Sequence, residues 1–183
     1  MPRLHLVRHG RATGGYGADA DPGLDDLGRA QAGAMADVLG PLGPLPIITS
    51  PLQRARQTAE ALERHWGTMA LVEPCVGEIP APTDDLAERH VWLQQAMGST
   101  YADLGPRFTS WRTMVAAFLL HLRADTVVVT HFVAINAVLG VASGDDRVMS
   151  SAVGNGSITT LDHDHDHFEV IEVGTADADT VVQ

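Results

Sequence analysis

The chain has 183 residues, of which 45% are hydrophobic, and 23 acidic against 12 basic residues give it a formal net charge of −11. This length and composition are typical of one globular domain with a substantial core. Its acidity argues against nonspecific binding to nucleic acid or anionic membranes, which requires a basic surface, although a few arginines can still form a local anion site. A single cysteine, Cys75, excludes an internal disulfide framework, and we see no signal peptide or membrane span, so we predict a cytoplasmic protein.

Residues 4–10 read LHLVRHG and predict a short buried strand that ends in an Arg-His-Gly triplet. In open α/β sheets ligands bind at the carboxyl ends of strands, so Arg8 and His9 are candidate site residues. A guanidinium offers a planar set of donors for phosphate oxygens, and an imidazole can attack phosphorus or carry a proton. From these residues alone, a chance arginine-histidine pair on a surface turn is the alternative.

A loop, a helix and a strand are predicted next. Residues 11–24 are rich in Gly, Ala and Asp and predict a flexible loop. A helix follows, with Asp25 as its N-cap and Gly40-Pro41 as its stop. A short strand is predicted over 46–49. The apolar residues that recur at helical spacing in this helix are Leu27, Ala30, Ala34 and Val38.

Ser50-Pro51 predicts the start of a second helix, with Ser50 as the side-chain cap and Pro51 at the first helical position. This helix is predicted to end near Gly67. Arg54 lies in its first turn and off its apolar stripe, which places the guanidinium near the carboxyl end of the preceding strand. The stripe consists of Leu52, Ala55, Ala59, Leu62 and Trp66.

The second half of the chain predicts another strand ending in a histidine. A strand over 126–129 runs into Thr130-His131, and a buried helix follows over 132–142. If this strand and the first one are parallel neighbours, His131 and His9 face the same crevice. Taken alone, His131 is more typical of a core histidine. The other elements predicted here are a strand over 70–73, helices over 84–97 and 107–122, and a hairpin formed by 158–161 and 168–173.

The hairpin tip contains the run DHDHDH at 162–167. Alternation would put His163, His165 and His167 on one side, which raises a metal site as an alternative to an ordinary solvated tip. Residues 174–183 are expected to form a flexible tail, so the single domain covers 1–173. The alternating β and α signals predict a three-layer α/β/α sandwich with a mostly parallel central sheet.

Three motifs, RHG at 8–10, SPLQRARQTA at 50–59 and VVVTH at 127–131, together resemble the histidine phosphatase superfamily, also called the phosphoglycerate mutase-like family. GLDDLGRAQA at 23–32 and NGSITTL at 155–161 extend the resemblance over nearly the whole chain. It implies a phosphomonoesterase that needs no cofactor and acts on a small phosphorylated molecule or a phosphoprotein. The alternatives are a mutase-like phosphotransferase, which the short middle segment disfavours, and a noncatalytic module that binds a phosphorylated ligand.

The resemblance also implies roles for individual residues. His9 would be the nucleophile that accepts the phosphoryl group, Arg8 and Arg54 would bind the phosphate, and His131 would complete its electrostatic cradle. Glu78 is similar in placement to the acid that protonates the leaving oxygen.

Two departures from the family pattern affect these assignments. The glycine and tryptophan that often follow the acid are absent, so the identity of the acid stays open among Glu78 and its rivals Glu73, Asp84 and Glu88. Phe132 stands where the family often has glycine after the histidine, which changes the wall of the pocket.

Overall fold

The computed structural model describes residues 1–14 and 19–175, which form a mixed six-stranded sheet with helices on both faces. The strands lie in the order β3-β2-β4-β1-β5-β6. The first four in this order are parallel, and β5 pairs antiparallel with both β1 and β6. This arrangement confirms the three-layer α/β/α prediction. The strands are β1 (Arg3–Arg8), β2 (Ile47–Thr49), β3 (Leu71–Val72), β4 (Thr126–Thr130), β5 (Ile158–His163) and β6 (Phe168–Glu172).

Two hydrophobic cores hold the layers together, one on each face of the sheet. The described helices are α1 (Asp26–Leu39), α2 (Gln53–Trp66), α3 (Leu86–Met97), α4 (Tyr101–Leu104), α5 (Pro106–Leu120) and α6 (Phe132–Ser143). Val7 and Val129 pack with α1 and α2, whereas Leu6 and Val128 pack with α5 and α6. Because successive strand residues point to opposite faces, β1 and β4 contribute to both cores.

Helix α1 follows the prediction in its ends but not in its buried face. The Asp25 carboxylate accepts a hydrogen bond from the Gly28 amide (2.7 Å), as expected of an N-cap. The apolar residues at helical spacing, Leu27, Ala30, Ala34 and Val38, are all exposed. The reason is a close approach at Gly28, where a Cβ would overlap the backbone carbonyl oxygen of Arg11. The helix therefore turns its small residues inward, and its buried residues are Gly28, Ala32, Met35, Ala36 and Leu39.

Ser50-Pro51 does not start helix α2, so that prediction is wrong. The helix begins at Gln53, and Asp21 from the loop before α1 accepts a hydrogen bond from the Gln53 amide (2.7 Å). The Ser50 hydroxyl oxygen accepts from the Leu52 amide before the helix (3.3 Å) and also bonds His131 (2.8 Å), so the N-cap position of α2 falls on Leu52. At the other end, Gly67 adopts a left-handed conformation (φ 67°) and ends the helix as predicted.

The remaining elements lie close to their predicted positions. Helix α3 begins after the cap residue Asp85, and the short helix α4 was not predicted. The expected tail covers 174–183. At its start the Gly174 amide donates to the Thr159 hydroxyl (3.1 Å), and Thr175 forms an antiparallel β-bridge with Val153. Residues 176–183 lie outside the described residues. Residues 15–18 of the expected flexible loop also lie outside them. None of the described helices is long and apolar enough to cross a membrane.

Candidate active site

The carboxyl ends of β2, β4 and β1 lie side by side and bring the motif residues together. Strands β1 and β4 are parallel neighbours, with Arg8 in register with Thr130. The rings of His9 and His131, which follow these strands, have centroids 5.1 Å apart. The two strands are therefore parallel neighbours that bring His9 and His131 together.

The His9 ring is held in one orientation. Its Nδ1 lies 2.8 Å from the Gly10 carbonyl oxygen and donates to it, so the proton resides on Nδ1. Its Nε2 accepts a hydrogen bond from the Arg54 Nε (3.2 Å). The backbone is fixed as well, because the His9 carbonyl accepts from the Asn155 side-chain amide (3.0 Å). Nε2 is thus the ring nitrogen whose lone pair faces the arginine.

The pKa of His9 lies well below the ordinary imidazole value of 6.5. Burial is the main cause, since His9 is only 5% exposed and a charged ring would lose its hydration. The positive charges of Arg54 and Arg8 lower the pKa further. His9 is therefore a neutral imidazole, which is the form that can act as a nucleophile.

The turn after His9 is anchored to helix α2 through Thr58. The Gly10 amide donates to the Thr58 hydroxyl oxygen (3.0 Å), and that hydroxyl donates to the Arg54 carbonyl (2.7 Å). A Cβ at position 10 would overlap the backbone of Gly28, so only glycine fits here. Thr58 lies within the motif at 50–59, but local pattern alone did not single it out.

The two site arginines are buried and held differently. Arg8 donates from Nη1 to the Val153 carbonyl (2.6 Å), and its guanidinium lies 5.0 Å from the centre of the Phe132 ring. Phe132, the departure from the family pattern, therefore supports this guanidinium through a cation–π contact. Arg54 bonds His9, and its Nη1 lies 3.9 Å from the carboxylate of Asp21.

His131 is fully buried at the start of helix α6. Its Nε2 lies 2.8 Å from the Ser50 hydroxyl oxygen, while its Nδ1 has no hydrogen-bond partner among the described residues. Burial and then the neighbouring Arg54 hold the pKa of His131 well below 6.5. This ring is also neutral, with one nitrogen left to bond a ligand.

Glu78 lies beside the arginines. Its carboxylate accepts hydrogen bonds from the backbone amides of Ile79 (2.9 Å) and Val133. Burial raises the pKa of Glu78 above the ordinary value of 4.5, while the charges of Arg54 and Arg8 oppose that rise.

The rival carboxylates have other local contacts. Glu73 accepts from the Cys75 amide (2.9 Å), and Glu88 accepts from the Thr83 hydroxyl (2.8 Å). Asp84 is exposed on the loop before α3. None of these described contacts is with a residue of the histidine–arginine cluster, so Glu78 is the candidate acid that the fold brings to it.

The three histidines of the run at 162–167 lie in different environments. His163 is fully buried, His165 Nδ1 donates to the Leu120 carbonyl (3.0 Å), and His167 is exposed beside Asp164. Within residues 1–14 and 19–175, no three His, Cys, Asp or Glu side chains gather closely enough to hold a metal ion.

Comparison of the sequence with known proteins shows what this chain is similar to. Residues 4–175 match the family model described as the histidine phosphatase superfamily, branch 1. A stretch of 75 residues is 40% identical to a glucosyl-3-phosphoglycerate phosphatase of Mycobacterium tuberculosis, covering 39% of this chain and 34% of that protein. The matched stretch therefore spans about a third of the length of that relative.

Solved structures share the fold over nearly the whole chain. A mycobacterial glucosyl-3-phosphoglycerate phosphatase has a TM-score of 0.71 at 24% identity, covering 97% of this chain and 100% of that one. A phosphoserine phosphatase of Entamoeba histolytica in complex with 3-phosphoglyceric acid has a TM-score of 0.74 at 24% identity, covering 96% and 98%. At such identities the similarity shows the fold alone.

Proposed function

Because this chain belongs to the histidine phosphatase superfamily, branch 1, we propose that it is a phosphomonoesterase that works through a phosphohistidine on His9. The observation that carries the proposal is the state of the His9 ring. Its Nδ1 proton is held by the Gly10 carbonyl, its pKa is lowered by burial and by two arginines, and its Nε2 lone pair faces Arg54. These features describe a neutral nucleophile beside a binding site for an anion.

In the first step, His9 Nε2 attacks phosphorus and the ester oxygen leaves on the opposite side. Arg54 bonds Nε2 in the free protein, so substrate binding transfers this donor to a phosphate oxygen and frees the lone pair. Arg54 and Arg8 then stabilise the negative charge that spreads over the equatorial oxygens. The buried site strengthens these contacts because little water competes with them.

Glu78 supplies the proton that the departing alkoxide needs. Because the pKa of Glu78 is raised, part of the carboxyl population stays protonated at pH values where an ordinary glutamate is ionised. In the second step the ionised carboxylate takes a proton from the water that attacks the phosphohistidine. The opposing charges of Arg54 and Arg8 favour that ionised form, so the same environment supports both states.

For the substrate we propose the phosphate ester of a small hydroxylated metabolite. Glucosyl-3-phosphoglycerate and phosphoserine are the first esters to test, because relatives of the chain or of its fold are named for them. A phosphoprotein belongs in the same panel, since the sequence resemblance leaves it open.

A substrate panel with a matched pair of variants tests the proposal. Phosphate release is measured in the presence of EDTA for the wild type, His9→Gln and His121→Gln. His121 is exposed and its ring donates to the Ala117 carbonyl of helix α5, so its variant controls for loss of an imidazole elsewhere. We expect release by the wild type and the control, none by His9→Gln, and an acid-labile phosphoryl group trapped on His9.

The competing functions give different results in the same assay. A phosphotransferase would pass the phosphoryl group to a second hydroxyl compound with little release of free phosphate. A noncatalytic module would bind phosphorylated ligands without turnover. Full activity of His9→Gln would contradict the covalent mechanism.

A further inference from the structure

The Ser50 side chain is fully buried beside His131 and has no part in the mechanism above. Its hydroxyl oxygen lies 2.8 Å from His131 Nε2 and accepts a hydrogen bond from the Leu52 amide at 3.3 Å. These two contacts determine which way the hydroxyl hydrogen points.

A serine hydroxyl has one hydrogen to donate and two lone pairs to accept with. Leu52 occupies one lone pair, and the only acceptor that the Ser50 hydroxyl contacts among the described residues is His131 Nε2. If the ring proton lay on Nε2, the hydroxyl hydrogen and the Nδ1 lone pair would both be buried without a partner. Buried polar groups are rarely left so, and each unpaired one is destabilising. The arrangement that satisfies more groups has Ser50 donating to Nε2.

This direction places the His131 proton on Nδ1. Nδ1 is buried and has no hydrogen-bond partner among residues 1–14 and 19–175. The ring also lies next to the His9 ring, with the centroids 5.1 Å apart. An N–H at this position is a donor for an anionic oxygen, whereas a bare lone pair would repel one.

We propose that Ser50 is a positioning residue that fixes His131 as the Nδ1–H tautomer, so that a neutral imidazole donates a hydrogen bond to the phosphoryl group. The identity of the ligand rests on the proposed function. The tautomer is a property of the free protein and is measured independently of turnover.

The first test needs no substitution at Ser50. Two-bond ¹H–¹⁵N correlation spectra of the histidine rings distinguish protonated from bare nitrogens, and the His131 signals are assigned as those missing from His131→Gln. We expect a protonated Nδ1 and a bare Nε2 in the wild type at neutral pH. A proton on Nε2, or on both nitrogens, would overturn the proposal.

The second test links the tautomer to ligand binding. In Ser50→Ala we expect His131 to populate the Nε2–H form, and we expect the dissociation constant of inorganic phosphate to rise about tenfold, as for the loss of one hydrogen bond to a charged group. Ser143→Ala is the control, because Ser143 lies at the far end of helix α6 from His131 and its hydroxyl donates to the Leu139 carbonyl. Ser50→Thr, which keeps the hydroxyl, should restore the wild-type tautomer.

The outcomes separate this proposal from the proposed function. An unchanged tautomer in folded Ser50→Ala, or a changed tautomer with unchanged phosphate affinity, would refute the positioning role. A wild-type Nδ1–H tautomer in a protein that hydrolyses no phosphate ester supports the role of Ser50 and refutes the phosphatase.

Discussion

Glu78→Gln is the substitution that tests the acid most directly. Gln keeps a side-chain oxygen that can accept from the Ile79 amide, so the loop should hold its shape. It removes the proton that the leaving alkoxide needs. General acid–base catalysis contributes about 10²–10⁴-fold, which corresponds to about 3–5 kcal/mol of barrier. We expect kcat/KM to fall by that factor for an alkyl phosphate, and far less for an aryl phosphate whose phenolate leaves unaided.

The dependence of kcat/KM on pH should have an acid limb set by His9 and an alkaline limb set by Glu78. His9 must be neutral, and because its pKa lies well below 6.5 the acid limb should fall below that value. Glu78 must be protonated in the first step, and because its pKa is raised above 4.5 the alkaline limb should lie above that value. In Glu78→Gln the alkaline limb should disappear while the acid limb remains, as measured by kcat/KM across pH.

The control for this variant is Glu88→Gln, since Glu88 bonds the Thr83 hydroxyl near the start of α3. Glu88→Gln should keep both limbs and most of its activity on both esters. Loss of alkyl phosphatase activity in Glu88→Gln, with little loss in Glu78→Gln, would move the acid role to the other carboxylate.

Three further predictions concern stability and support of the site. Thr58→Val leaves a buried backbone amide without its acceptor, so the free energy of unfolding in urea should fall by about 1–3 kcal/mol and kcat should fall more than KM changes; an unchanged urea curve contradicts this. Gly28→Ala drives a Cβ into the Arg11 carbonyl and should cost about 1–3 kcal/mol in thermal unfolding, whereas Gly33→Ala, with no atom within 4 Å, should not destabilise. Lowering the pH from 7.5 to 5.5 should lower the free energy of unfolding by up to about 1 kcal/mol for each of the two site histidines, because their pKa values are lowered in the fold and the unfolded chain binds more protons. The urea-measured loss should be smaller by about that amount in His9→Gln, and an equal loss would mean that His9 is not buried in its neutral form.

The sequence alone was sufficient to predict the strands that carry the motifs. Hydrophobic runs predicted β1 and β4. The rule that ligands bind at the carboxyl ends of parallel strands predicted that His9 and His131 lie together. Both inferences depend on properties of single segments and on one general rule of sheet topology. They therefore hold without knowledge of the contacts between distant residues.

Where prediction failed, a distant contact had overridden a local preference. The apolar spacing of α1 pointed to Leu27 and Val38, but the close approach of Gly28 to the Arg11 backbone turns both outward. Ser50 has the local signature of a helix cap, yet its hydroxyl also bonds His131, 81 positions along the chain, and helix α2 begins only at Gln53. A cap and a long-range hydrogen bond use the same hydroxyl, so local sequence cannot tell them apart.

The position of β1 in the sheet has a consequence for how the protein is made. Leu4 lies near the start of the chain, yet its strand pairs through Thr126 on one side and through Leu161 on the other. Pairings over such separations form slowly, because a long loop must close before any contact compensates for the lost entropy. During synthesis the strand that precedes His9 has both edges open while most of the chain emerges, and such edges are prone to wrong pairing. We therefore expect His9, Arg54 and His131 to come together only late in folding, so that a half-made chain lacks the proposed phosphate site.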